Sequence, residues 1–237
     1  MRGSMAAGFK GLAVLAVLGA VLTPAPAAAQ QTINFSFGGF SPRGEDARGP
    51  DDVLVQDRAF LDFNVSDLTG PTFSGEWLVG LGDHFDAGLG VGYYQRSTLA
   101  ADHFSEFDVT GDPILADLKL RVVPFNATFR WLPLGHHRAV EPYIGGGVGV
   151  FGWRYSETGD FVASDNVTII HGNFTGSGSA TGPVVVGGLR VPLGSWSIGG
   201  ELKYQAAEGD LPANQGFAGS KIDLGGLTYA FTFGVRF

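Results

Sequence analysis

Residues 225–237 read G-G-L-T-Y-A-F-T-F-G-V-R-F, and this stretch decides the fold. Leu227, Tyr229, Phe231, Phe233, Val235 and Phe237 share one parity; Thr228, Ala230, Thr232, Gly234 and Arg236 share the other. Side chains alternate across a strand, so the segment presents one bulky apolar face and one small or polar face. A tilted strand crosses a bilayer with roughly 9–11 residues, and this one is long enough.

The second face separates a membrane strand from a soluble one. A soluble barrel hydrates its outer face with Lys and Glu, whereas the alternating segments of this chain carry mostly Gly, Thr, Ala and Ser on their non-bulky side. Gly weakens an ordinary strand, but small residues suit the lumen of a narrow barrel, which side chains fill. The bulky face is then the one turned to lipid. A membrane barrel is expected over a soluble sandwich or a lipocalin-like barrel.

Composition agrees. The 237 residues make one domain, rich in Gly (38) and aromatics (12%) and poor in charge (16%). With no cysteine, disulfides, thiolate metal sites and Cys nucleophiles are excluded. Residues 1–29 read as a secretory signal peptide: Arg2 and Lys10 precede an apolar core, Gly11 to Leu22, and Ala27-Ala28-Ala29 offers a cleavage site before Gln30. Residues 30–237 form the barrel domain. The net charge of −8 becomes −10 when the two leader cations are removed (−8 − 2), which argues against a nucleic-acid partner.

The alternation predicts strands at about 31–40, 71–82, 85–97, 117–132, 139–154, 182–192, 196–206 and the terminal stretch. Polar loops are expected at 41–70, 98–116, 155–181 and 207–221, with short turns at 83–84, 133–138 and 192–195. The first loop holds an apolar patch, Phe60, Leu61, Phe63 and Val65, and is expected to fold on itself or extend its neighbours. In the fourth strand Leu118, Leu120 and Val122 are even while Val123, Phe125, Ala127, Phe129 and Trp131 are odd, so a bulge beside Pro124 is expected to switch the register. Eight strands with alternating long loops and short turns define an all-β fold, an eight-stranded antiparallel up-and-down transmembrane β-barrel. Phe85, Trp131, Trp196 and Phe237 fall at the turn ends, where an aromatic girdle belongs.

The segments P-Y-I-G-G-G-V-G-V (142–150), V-V-P-F-N-A-T-F-R-W-L-P (122–133) and the terminal aromatic strand carry a resemblance. The chain resembles the small bacterial outer-membrane β-barrels, the group of OmpX, OmpW and the OmpA membrane domain. It is also similar to an uncharacterised outer-membrane β-barrel domain family. The resemblance implies location in the outer membrane after export through the periplasm, with outer-membrane lipid and lipopolysaccharide as surroundings. It also implies recognition by the barrel-assembly machinery through the C-terminal strand, with Tyr229, Phe231, Phe233 and Phe237 as the assembly signal. No cofactor is implied, and no second domain of the peptidoglycan-binding kind is expected.

The lumen parity collects Glu76, Arg96, Arg130, Glu141, Arg190, Glu201, Lys203 and Arg236. An unpaired buried charge is very costly, so these should form an interior ion-pair network that fixes the register. Arg130 is the expected partner of Glu141, since a short turn joins their strands. The competing reading is a gate or narrow ion path. The five histidines, His84, His103, His136, His137 and His171, are expected in solvated turns and loops, and no metal ligand set is assigned. His103-Phe104-Ser105 formally matches the His-x-Ser of lipid A deacylases but falls in a loop, and His171 with Thr168 is the other close pair. No catalytic residue is assigned. Asp51, Asp52, Asp57 and Asp62 are expected to form a solvated acidic loop, with divalent-ion binding beside lipopolysaccharide as the alternative. The expected function is a non-enzymatic integral outer-membrane barrel whose extracellular loops meet surfaces or support the envelope. OmpW-like transport of small hydrophobic molecules and a lipid A-modifying enzyme are the alternatives. The sequence leaves the oligomeric state open.

Overall fold

A computed structural model describes residues 30–106, 112–162 and 168–237 of the chain; the expected leader, 1–29, lies outside the described residues. Eight long strands follow one another: β1 (Gln31–Pro42), β2 (Gly70–Gly80), β3 (Phe85–Glu106), β4 (Pro113–Trp131), β5 (Glu141–Val162), β6 (Ile169–Leu193), β7 (Trp196–Gln205) and β8 (Gly226–Arg236). Each pairs antiparallel with its neighbours in sequence. The ring closes where β1 meets β8, with Phe35 opposite Phe233 and Phe37 opposite Phe231. Closure leaves no unpaired edge, the condition for a sheet to cross a bilayer. The tightest connection is the two-residue turn between β6 and β7. There Gly194 takes φ +70°, the positive value a short hairpin turn needs at its first central position.

One parity runs the length of β4, and the expected bulge is absent. The pairing of β4 with β5 is unbroken from Ala116↔Gly159 to Trp131↔Ile144, Pro124 included. Proline has no N–H to donate, and the ladder with β3 accommodates it by omitting the rungs between Val91↔Phe125 and Tyr94↔Val122. The even residues point inward throughout. What changes along the strand is the content of the interior: Ile114, Ala116, Leu118, Leu120 and Val122 are buried at one end, and Asn126, Thr128 and Arg130 at the other.

The loops expected at 98–116 and 155–181 are largely strand. β3 runs to Glu106, β4 starts at Pro113, β5 runs to Val162 and β6 starts at Ile169. The two hairpins stand beyond the membrane, where outward side chains meet water, so their outer face is polar and mimics a loop. The first loop folds on itself: a turn of 3-10 helix (Glu45–Ala47), a short helix α1 (Val53–Asp57), a two-residue strand (Leu61–Asp62) and a second 3-10 turn (Val65–Leu68). Its Val53, Leu54, Leu61, Phe63, Val65 and Leu68 drop into the barrel mouth and pack with Leu118, Leu120, Phe151, Trp153 and Tyr155. The last loop adds Leu211, Ile222 and Leu224 to the same core. Asp52 joins the two loops: it accepts from Arg48 within the first and from the backbone N–H of Asp223 in the last. The mouth is therefore closed by a hydrophobic cap.

Below the cap the outer wall is an apolar belt. Phe35, Phe37, Phe73, Leu89, Phe125, Phe129, Val148, Val185, Leu189, Leu202 and Phe231 are all exposed, and Phe231 is 81% exposed. Phe85, Trp131, Trp196 and Phe237 stand exposed at the turn end, as the girdle requires. Phe231→Arg is expected to destabilise by about 2–4 kcal/mol if the site lies near the midplane. Arg at buried Thr232 would instead be limited by packing and by the lumen charges. A refolding titration into lipid vesicles checks this; equal insensitivity at both positions contradicts the assigned faces.

Candidate functional site

Under the cap, the interior is filled by two charge clusters. Arg130, on β4, is almost wholly buried and bonds two carboxylates from different walls: Glu76 of β2, and Glu201 of β7 at 2.9 Å. Thr128 Oγ1 donates to Glu76 at 3.0 Å, Tyr143 Oη donates to Glu201 at 3.0 Å, and Lys203 Nζ reaches Glu201 at 3.2 Å. The Arg130 guanidinium also lies over the Tyr143 ring, 4.7 Å from its centre. Two anions and two cations make this cluster neutral. The second lies nearer the turns. Glu141 receives Arg190 at 2.7 Å and Arg236 at 2.9 Å, and Asp86 receives Arg190 at 3.2 Å. It too balances two anions against two arginines.

Of the residues the sequence places in the lumen, Glu76, Arg130, Glu201 and Lys203 meet in one cluster and Glu141, Arg190 and Arg236 in the other. The expected Arg130–Glu141 pair is not formed. Glu141 and Arg190 are direct cross-strand partners in the β5–β6 hairpin, and that proximity wins. Arg96 joins neither cluster. It lies at the exposed rim, where its Nε contacts the Asp67 carbonyl at 3.4 Å. Asp86 and Tyr143 belong to the site but escape a scan for charged residues among strand-internal positions. Asp86 opens its strand, and Tyr143 reads as an aromatic in a glycine run.

The glycines around Tyr143 have a definite use. A Cβ at Gly188 would lie 2.5 Å from Tyr143 Oη, and one at Gly88 would lie 2.6 Å from Glu76 Oε1. Glycine on the lumen face makes room for the side chains of the strand beside it.

Two other expectations are corrected. His136 is not solvated: its ring is nearly buried in the turn after β4, with Nε2 3.1 Å from Asp86. The Asp86 carboxylate holds this imidazole above its usual range and favours the cation. His171 pairs with Asp160 at 3.0 Å on the exposed rim, where an ion pair contributes little. The side chains of Phe104 and Ser105 lie outside the described residues. The acidic first loop is not uniformly solvated either, since Asp52 and Asp57 are buried and spoken for. Asp52 caps α1 and holds Arg48. Asp57 accepts from Tyr155 Oη at 3.1 Å, and the neighbouring Glu157 of β5 adds to the burial that pushes its carboxyl up. No group able to hold a metal occurs among the described residues.

The fold and its belt define the class: an integral outer-membrane β-barrel with a filled lumen. No protein-family model matches the chain, and no curated protein matches it. Solved structures do. A major outer membrane protein from Thermus thermophilus matches at 14% identity and TM-score 0.48, over 89% of this chain and 100% of that one. Ail, the attachment invasion locus protein of Yersinia pestis, matches at 13% and 0.48, over 89% and 100%. Neisserial surface protein A matches at 10% and 0.46, over 89% and 98%. The class itself follows from the closed ring and the belt.

Breaking a buried pair from one side typically costs roughly 3–5 kcal/mol, because a partner is left charged and alone, whereas apolar replacement of the whole set can be nearly neutral. Arg130→Met should therefore destabilise strongly, and adding Glu76→Gln, which leaves Glu201 paired with Lys203, should recover much of the loss. In double-mutant cycles Glu141 should couple to Arg190 and not to Arg130. Urea titration of the refolded barrel reads both, and additive costs within either cluster would contradict the geometry.

The Asp57–Glu157 contact in the cap predicts a pH dependence. Burial raises both carboxyls above their ordinary range, and Glu157 raises Asp57 further. A carboxyl with a raised folded pKa contributes stability that is full below its unfolded value, about 4, and is lost as pH rises through the folded value. Wild type should thus lose stability relative to Asp57→Asn between pH 5 and pH 9. Thermal unfolding of both proteins at the two pH values measures the difference; a constant difference would mean that the pair does not share a proton.

Proposed function

We propose that this chain is a non-conducting, non-enzymatic barrel that presents a surface outside the cell. The observation carrying this is the double closure of its interior. Ions entering from the mouth would meet packed Leu118, Leu120, Phe151 and Tyr155, and those entering from the turns would meet Arg130, Glu141 and Arg190. An eight-stranded lumen has no further width to offer. Two long hairpins rise from the membrane, and the loops between the others are packed into the cap. On the water-exposed face of the β3–β4 hairpin, Leu99 and Leu115 stay exposed at 65% and 42%. Large apolar groups there belong to a contact surface more readily than to a conduit.

The transport alternative draws on a groove of about 670 Å³ in the outer wall. Phe35, Phe37, Phe73, Phe231 and Phe233 line it, and Gly75, with open space where a Cβ would sit, makes its floor. It faces lipid, and the packed cap separates it from the mouth, so it favours an acyl-chain seat over a lateral exit. Planar-bilayer recording tests the main reading. The wild-type protein should give no single-channel steps above background, and reproducible unitary currents would refute the closed interior.

A further inference from the structure

Just above the apolar belt, the outer wall carries a groove of about 230 Å³ lined by Gln95, Lys119, Arg121, Arg154, Ser156 and Thr158, with Asn173 and Thr175 at its far side. Three cations meet there without an anion. Arg121 and Arg154 are direct partners across the β4–β5 ladder, and Lys119 is opposite Ser156. Side chains directly opposite on one face start about 5 Å apart, and like charges so placed repel. Neither arginine nor Lys119 has a salt bridge or side-chain hydrogen bond among the described residues. Asp117, one pleat farther along β4, pairs with none of them. Most other arginines among the described residues are treated differently: Arg43, Arg48, Arg130, Arg190 and Arg236 all hold carboxylates.

The level of the groove matters as much as its charge. On β4, Arg121 is followed on the same face by Val123 and Phe125; on β5, Val150 and then Arg154 face outward, with only Gly152 between them. On β3, Tyr93 is the last aromatic of the belt, and its Oη donates to Gln95 Oε1 at 2.9 Å, leaving the Gln95 amide N–H groups free for another acceptor. The cations thus sit at the outer boundary of the lipid. In open water their mutual repulsion would be screened, but at that boundary screening is weaker. An anion bridging the two arginines removes the repulsion, and guanidinium forks match a phosphate with paired hydrogen bonds.

We propose that this groove binds the phosphate of an outer-leaflet lipid headgroup, with Arg121 and Arg154 clamping it and Lys119, Gln95 and Ser156 completing the shell. The inference rests on the barrel's place in the outer membrane and is independent of whether its interior conducts. The seat would fix one lipid molecule against the root of the β3–β4 and β5–β6 hairpins.

The full chain is refolded into phosphatidylcholine nanodiscs doped with diphosphorylated lipid A or with the same lipid dephosphorylated, and retained lipid is counted by native mass spectrometry. Wild type should retain the phosphorylated lipid at least tenfold over the dephosphorylated one, with the preference shrinking as salt is raised. Arg121→Gln with Arg154→Gln should abolish the preference while keeping the electrophoretic shift of the folded barrel; Lys221→Gln, at the cap, should leave it intact. Equal retention of the two lipids by wild type would overturn the proposal even if the double variant failed to fold. So would an unchanged preference in the folded double variant. Inorganic phosphate, added to the protein in neutral detergent, should bind far more weakly than the lipid; equal affinity would assign the groove to a free anion and overturn the headgroup assignment.

Discussion

A ring of eight strands encloses a space only as wide as its own side chains, so nothing inside can be left empty, charged alone or wet by default. That constraint governs the interior. Charged side chains on facing walls can reach one another across the lumen, and Arg130 on β4 touches carboxylates from β2 and β7. The Arg130 cluster is neutral in itself, and in the other two carboxylates answer two arginines with His136 beside them at the turn end, which lets charged sets lie in a nearly dry space. Such clusters are a weak source of net stability compared with apolar packing, but they penalise a wrong register severely. A slipped strand would strand Arg130 or Glu141 rather than merely loosen a contact.

The same strand serves three surroundings in succession. In β4 the outward residues meet the outer boundary of the bilayer at Lys119 and Arg121 and lipid from Phe125 to Trp131, while the inward ones pass from Leu118 and Leu120 in the cap to Thr128 and Arg130 in the charge cluster. The apolar parity therefore changes sides where the strand leaves the bilayer. The backbone does nothing unusual there; the solvent does. Cap and plug are thus two solutions to one filling problem, the upper dry by hydrophobic packing and the lower by charge compensation.

This explains how much of the structure was legible beforehand. The terminal strand, the number of barrel strands and the turn-end girdle follow from alternation against a constant lipid exterior. The apparent break at Pro124 came from assuming that exterior to be constant along β4, and the missing lengths of β3 to β6 came from the same assumption. Parity puts Glu76, Arg130, Glu141, Arg190, Glu201, Lys203 and Arg236 on one face of their strands, but it also put Arg96 there, which lies at the rim, and the charge set drawn from it passed over Asp86. Who bonds whom was not, because adjacency in the ring cannot say which long side chains meet across it. The turn joining β4 to β5 suggested Arg130 for Glu141, whereas register set Arg190 opposite it. Burial of Asp57 against Tyr155 and Glu157 left no local signal, since it depends on a loop folding back over a hairpin that itself read as loop.

The chain contains no cysteine, so single substitutions give a clean report on all three surroundings of β4. The most direct test is reaction of a membrane-impermeant maleimide with single-cysteine variants in intact outer membranes, one at a time from Asp117→Cys to Trp131→Cys. A closed interior predicts labelling at 117, 119 and 121 only. The odd positions from 125 onward should be shielded by lipid, and Asn126→Cys and Thr128→Cys by the packed lumen. Rapid labelling at 126 and 128 in folded protein would mean a water-filled passage and would contradict the account.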